Sequence, residues 1–363
     1  MNTQSTFSEF KRSLKKNLML KTAPNGRYDQ SVYWSVLFCA AERSTTVEDA
    51  CLLLSEERAG IPSQDTVMEA LKAFSVVELQ TAWETVFDEQ VAYAKAGSRL
   101  PRKVALAIDY NDQPYYGQER GNPWFVGGKS KCGTHWFTRV ASASIVTNGV
   151  RFTVAMLPFC DELDDATVVK YLVSRAMKHF SLDYVTMDKE FYNSTIMNWL
   201  DVSGVKYLIS GKAYPKYVKL AEKHGTEDFS MECEIGSYYR EKAHTTLLSH
   251  YDDGKRFWYA TNMSIPPTDG DRMHEARWGI ETSYRVIGED CAWTTSNDIS
   301  VRLFHRMLSF MLYNLWILVN LLVGTRRIRY LHRGKKMREK TLYTFTHKAL
   351  VRGFAVSLPD DYG

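Results

Sequence analysis

The sequence predicts a mixed α/β protein. Parallel and antiparallel strands form one sheet with flanking helices, preceded by an all-helical region and interrupted by a strand-rich insertion. Three observations carry this. Residues 1–100 show helical periodicity and no convincing strand; from 101 the order reads three strands, helix, strand, helix, strand; residues 212–262 replace that order with short strands between Gly and Asp turns.

Taking the elements in order, "STTVEDACLLLSEE" sets Thr45 and Glu48 in capping-box spacing before a helical repeat of Val47, Ala50, Cys51 and Leu54. After "RAGIP", Ser63 caps a second helix, "QDTVMEALKAF". Helix, short turn, helix over 45–74 is the layout of a DNA-binding helix-turn-helix, and equally of any helical hairpin. "KVALAID" is the first strand, ending on Asp109. "HWFTRVASASIVTNGVRFTVAMLPF" places Asn148-Gly149 between two β-rich runs, a hairpin signal. A helix at "DDATVVKYLVSRAMKHF" leads to the strand "LDYVTMD", ending on Asp188. The helix "NSTIMNWLDVSG" and the strand "VKYLISG" follow. The insertion holds the strands "FSMECEIGSYYR", "HTTLLSHYD" and "KRFWYATNM". Then come the helix "RMHEARWGIETSYRVIG" and a long apolar helix. The expected divisions are 1–100, 101–211, 212–262, 263–325 and a basic segment 326–363.

Composition bounds the function. With 363 residues, 45% hydrophobic and 24% charged, this is a globular chain. The N-terminus lacks the apolar core of a secretory signal, and six scattered cysteines without a CxxC pair argue against disulfides and a zinc site, so an intracellular, cytoplasmic location is expected. Residues 307–324 carry no charge and border the length of a membrane span, but Ser309, Asn314 and Asn320 interrupt them, which favours a buried core helix and no membrane. The net charge of +4 is mild. It is concentrated in "RRIRYLHRGKKMREK", where Arg326, Arg327, Arg329, Lys335 and Lys336 are candidates for phosphate contact.

Two strands ending on Asp carry the chemistry. If the first and fourth strands are neighbours, Asp109 and Asp188 come side by side, and paired carboxylates call for a divalent cation such as Mg²⁺ or Mn²⁺. Glu281, with Arg277 and Arg285 four residues to either side and Tyr284 three beyond, supplies a third carboxylate on a helix. Taken singly, Asp109 also reads as a strand terminator, Asp188 as a helix cap and Glu281 as an ordinary helical ion pair.

Around those residues, "AIDYND", "VTMDKEFYN" and "ARWGIETSYRVI" resemble a DDE transposase of an insertion sequence, from the group whose last catalytic region follows a strand-rich insertion. The resemblance extends over about 105–320. It implies a ribonuclease-H-like fold and two Mg²⁺ ions, replaceable by Mn²⁺, held by Asp109, Asp188 and Glu281. The implied reaction is hydrolysis of a DNA phosphodiester to a 3′-hydroxyl, then strand transfer. It further implies terminal inverted repeats and target DNA as double-stranded partners, with a homodimer in the DNA complex. The group's Tyr, Arg, Glu, Lys signature is met at Arg277 and Glu281, but His274 and Gly288 stand in the outer places, so Tyr284, Arg285 and Lys189 are the substitutes to test. In hairpin-forming relatives an aromatic of the insertion stacks on a flipped base, a role for which Trp258 or Tyr259 is available here; a core position is the commoner use of such a residue. The competing readings are a nuclease on the same fold without strand joining, and a decayed copy that binds DNA without chemistry.

Overall fold

The computed structural model describes residues 3–22, 26–97, 100–147, 150–236 and 241–331. The chain divides into two compact units, residues 101–283 and residues 1–100 with 284–363.

The first of these is built on a nine-stranded sheet. Its strands are β1 (Lys103–Tyr115), β2 (Val126–Lys131), β3 (Thr134–Ile145), β4 (Phe152–Phe159), β5 (Ser181–Met187), β6 (Tyr207–Ser210), β7 (Phe229–Ile235), β8 (Ala243–Asp252) and β9 (Lys255–Thr261). The order is β2-β3-β1-β5-β6-β9-β8-β7, with β4 also paired to β3. Val104 to Ile108 form an unbroken buried run, as expected of a central strand covered on both faces. β1 pairs parallel with β5 and antiparallel with β3, so the expected neighbours are neighbours. Helix α6 (Asp165–Met177) links β4 to β5 and α7 (Ser194–Val202) links β5 to β6. Asp164 caps α6 and Asn193 caps α7, which ends at Gly204 in the left-handed region, φ 66°. β3 and β4 pair antiparallel as a hairpin would; Asn148 and Gly149 themselves lie outside the described residues.

Three features differ from the sequence reading. β1 does not stop at Asp109 but runs on to Tyr115, because Asn111, Asp112, Gln113 and Pro114, too polar to extend an apolar run, still pair with β3. β2 was not foreseen. The strands of 212–262 are also not a separate body: β9 pairs with β6, and β8 and β7 follow, so the insertion widens the same sheet. An unforeseen helix, α8 (Pro215–His224), packs Tyr217 and Ala221 on Leu247 and Trp258. Leu208, Leu248 and Tyr259 form another cluster, against which Met273 packs. Met273 belongs to α9 (Pro267–Glu289), and the boundary between the units falls inside that helix, after Ser283.

The other unit is helical in its described residues: α1 (Thr3–Asn17), α2 (Gln30–Glu42), α3 (Val47–Glu57), α4 (Gln64–Lys72), α5 (Val76–Ala96) and α10 (Ile299–Leu331). Trp34, Phe38, Phe74, Trp83 and Phe87 surround or adjoin Phe304 of α10. Ser63 caps α4 as expected, whereas the cap of α3 is Thr46, accepting from the Asp49 N–H, with Thr45 bonded to the Asp49 carboxylate instead. The polar residues of the apolar run are satisfied within the unit: Asn314 donates to Gln90 at 3.0 Å, Ser309 to the Arg306 carbonyl and Asn320 to the Trp316 carbonyl. No helix among the described residues is long and apolar enough to cross a membrane.

Candidate active site

The parallel pairing of β1 with β5 ends in register at Ile108 and Met187, and the next residues are Asp109 and Asp188. Registered parallel strands therefore deliver both carboxylates to the same end of the β1–β5 pairing. Asp188 caps the short 3-10 turn Lys189–Phe191, its carboxylate accepting from the Lys189 N–H at 2.7 Å. The aromatic behind each aspartate ties the two arms together: Tyr110 stacks on Phe191 with ring centroids 4.9 Å apart, and its hydroxyl donates to Asp165 at 2.7 Å. Tyr110 and Phe191 escape a search for charged groups, although each lies in a quoted motif.

Arg277 connects the third carboxylate. Its side chain is 5% exposed, donates to Asp109 Oδ2 at 3.1 Å and lies 3.8 Å from Glu281 one helical turn on. Glu281 itself is 66% exposed. Three contacts fix this stretch of α9. Tyr259 donates to Asp271 at 2.5 Å, Met273 packs on the widened sheet, and Arg151 donates to the Ala276 carbonyl at 2.9 Å. Neither Arg151 nor Asp271 carries a motif that the sequence alone would single out.

Burial pushes the Asp109 carboxyl up, to about 7; the Asp188 and Glu190 charges add to the rise and Arg277 opposes it. His274 is held well below the usual imidazole range, at about 4, by burial and by the Arg277 charge, and its Nε2 is buried without a hydrogen-bond partner among the described residues. It lines a cleft of about 580 Å³ together with Lys189, Tyr259, Asp271 and Glu275. No group of three or more His, Cys, Asp or Glu side chains among the described residues is gathered to ligating distance. The donors are nevertheless all hard oxygens, and a carboxyl raised by burial, with like charges adding to the rise, is one that a bound divalent cation would relieve, so the residues fit Mg²⁺ or Mn²⁺.

The other expected residues are more dispersed. Lys189 is exposed on the turn after Asp188. Tyr284 and Arg285 fall in the helical unit, where Tyr284 packs near Phe310 at 6.0 Å and Arg285 is exposed. Gly288 is exposed. Trp258 is 7% exposed, packed against Tyr217 and Phe229, which is a core placement rather than a free stacking face; the Tyr259 hydroxyl is committed to Asp271. Arg326, Arg327, Arg329, Lys335 and Lys336 lie outside the residues whose side chains are described.

The sequence matches the family model described as the transposase DDE domain over residues 101–315. No curated protein matches it significantly. Among solved structures the chain is similar to piggyBac transposase in a synaptic complex with hairpin DNA, with a TM-score of 0.63 and 13% identity over 98% of this chain and 80% of that one. At that identity the likeness is one of fold, the ribonuclease-H-like sheet with flanking helices. With strand-registered Asp109 and Asp188, a helical Glu281 and a family match over more than half of its length, this chain belongs to the DDE transposases.

Proposed function

We propose that the protein cuts and joins DNA at the ends of an insertion sequence by two-metal phosphoryl transfer. The observation that carries this is the registered delivery of Asp109 and Asp188 to the end of the β1–β5 pairing, with Arg277 linking Asp109 to Glu281. Asp109, Asp188 and Glu281 would hold two Mg²⁺ ions, which supply activation of the attacking oxygen and stabilisation of the leaving oxygen. The chain's own groups do the rest. Arg277 screens Asp109 from Asp188 and Glu190. The Tyr110–Phe191 stack fixes the separation of the two strand arms. His274 and Lys189 offer polar groups to a strand lying in the cleft.

DNA as the partner is supported by the family and by the neighbour's capture in a synaptic complex with hairpin DNA. Residues 1–100, with α3 and α4 as a helix-turn-helix, would recognise terminal repeats; segment 326–363 would add phosphate contacts, and two copies would synapse two ends. The place of work would be the cytoplasm, on the nucleoid.

The test is incubation of the protein and its Glu281→Ala variant with labelled duplex carrying the flanks of its gene, with Mg²⁺, Mn²⁺ or EDTA. Metal-dependent and Glu281-dependent nicking followed by joined products is expected. Cleavage without joining would make the protein a nuclease, and binding without cleavage a decayed copy.

A further inference from the structure

The hairpin of β2 and β3 carries basic residues without acids, and the site does not use it. From Arg120 to Arg139 the sequence contains no acidic residue. β2 lies at the edge of the sheet, and all of it after Val126 is exposed. Arg120, Lys129 and Lys131 are exposed and form no ion pair among the described residues; His135 is exposed on the partner strand.

The hairpin is also tied to its neighbours at several points. Lys131 pairs with Thr134 across Cys132 and Gly133, both in the left-handed region at φ 53° and 79°, as a two-residue type I′ turn demands. Tyr116, 70% exposed, donates to the Cys132 carbonyl at 2.9 Å and so lies against the turn. Tyr115 stacks on Phe125 at 3.8 Å, and Thr134, next to the turn, donates to the Tyr115 carbonyl at 2.6 Å. Gly127, opposite Trp136, leaves the edge backbone without a side chain, which suits close approach of another backbone.

We infer that this hairpin is a phosphate-contacting finger for double-stranded DNA. Lys129 and Lys131 are its principal contacts, and the exposed Tyr116 ring stands beside the turn that follows them. The inference rests on the proposed DNA-cutting role and adds a surface to it. β1 runs from Asp109 to Tyr115, about 20 Å at about 3.3 Å per residue, before reaching the turn end of the hairpin. The finger would therefore meet the duplex about six base pairs from the cut, at about 3.4 Å per pair. Contacts there are sequence-independent and position the duplex rather than read it.

The test is the salt dependence of binding by the intact protein, the double variant Lys129→Ala/Lys131→Ala and the charge-preserving Lys129→Arg/Lys131→Arg. Each is titrated with a duplex carrying the element's end and with a random duplex of about 30 base pairs. Each phosphate contact contributes about 0.9 to the slope of log K against log salt, so the alanine pair should lower its magnitude by about 1.8 and the arginine pair should restore it. A fall on the end duplex alone assigns the finger to element DNA, and a fall on both assigns it to any duplex, target included. Unchanged melting would show that the variants fold. Lysines on an edge strand also block pairing with another chain. Concentration-dependent dimerisation of the alanine pair with an unchanged slope would give them that role and overturn the inference, as would an unchanged slope alone. The slope is readable whether or not the protein cleaves, so failure of the cleavage reading is seen separately, as absent nicking.

Discussion

Two aspartates three residues apart on β1 each pair with an arginine, and the two pairs have opposite characters. Arg139 grips Asp112 through two N–H groups, at 2.7 and 3.0 Å, and lies 4.7 Å over the Tyr110 ring. Arg277 reaches Asp109 at 3.1 Å with one nitrogen and stands 3.8 Å from Glu281 with another, while Asp188 and Glu190 push on the same carboxyl. The first pair has the bidentate geometry of a structural clamp. The second leaves a buried carboxyl raised to about 7, which fits a group whose intended counter-charge is a bound cation rather than the arginine alone. On one strand, the quality of pairing separates a residue that holds the fold from the residue proposed for the chemistry.

The strongest way to break the comparison is cleavage. Asp109→Asn should cost at least about a thousandfold in rate at saturating DNA, since residues acting as one unit fail together. Asp112→Asn, kept folded, should cost less than about tenfold. Equal losses would erase the distinction. The next effect is on stability. Asp112→Ala leaves Arg139 half-buried and unpaired, and should cost about 2 kcal/mol in denaturant unfolding.

A third comparison uses pH. The folded-state pKa of Asp109 is raised above its ordinary value of 3.8, so the folded metal-free protein binds the proton more tightly than the unfolded chain. Its contribution to stability is then greatest below pH 4 and is lost as pH rises towards about 7. Melting curves of the metal-free protein should show this decline, and Asp109→Asn should lack that component while Asp112→Asn keeps it. The smallest expected effect is that of the ion itself. Mg²⁺ at ten times its dissociation constant should add about 1.4 kcal/mol to the intact protein and to Asp112→Asn, and nothing to Asp109→Asn. A metal response that survives in Asp109→Asn would remove Asp109 from the proposed ligand set.

Legibility in the sequence followed the range of the interactions involved. Val104 to Ile108 announced a central strand because burial on both faces demands unbroken apolar residues, and Ser63 announced a helix start because its hydroxyl needs only the next turn. Asp109 and Asp188 stood out as charges at the ends of such runs. Thr46 shows where even local reading slips: two adjacent threonines offer equivalent oxygens, and backbone geometry chooses between them.

The sequence by itself determined most of the helices, most of the strands and the candidacy of the three carboxylates, since periodicity, caps and charge are written residue by residue. Only the tertiary structure decided that β1 runs past Asp109, that β7 to β9 widen the catalytic sheet, that Trp258 belongs to a core, and that Arg277 bridges Asp109 and Glu281. Each of these depends on a partner far along the chain. A strand's hydrogen bonds, an indole's burial and a carboxylate's counter-charge belong to pairs of distant residues, and no local pattern encodes the second member.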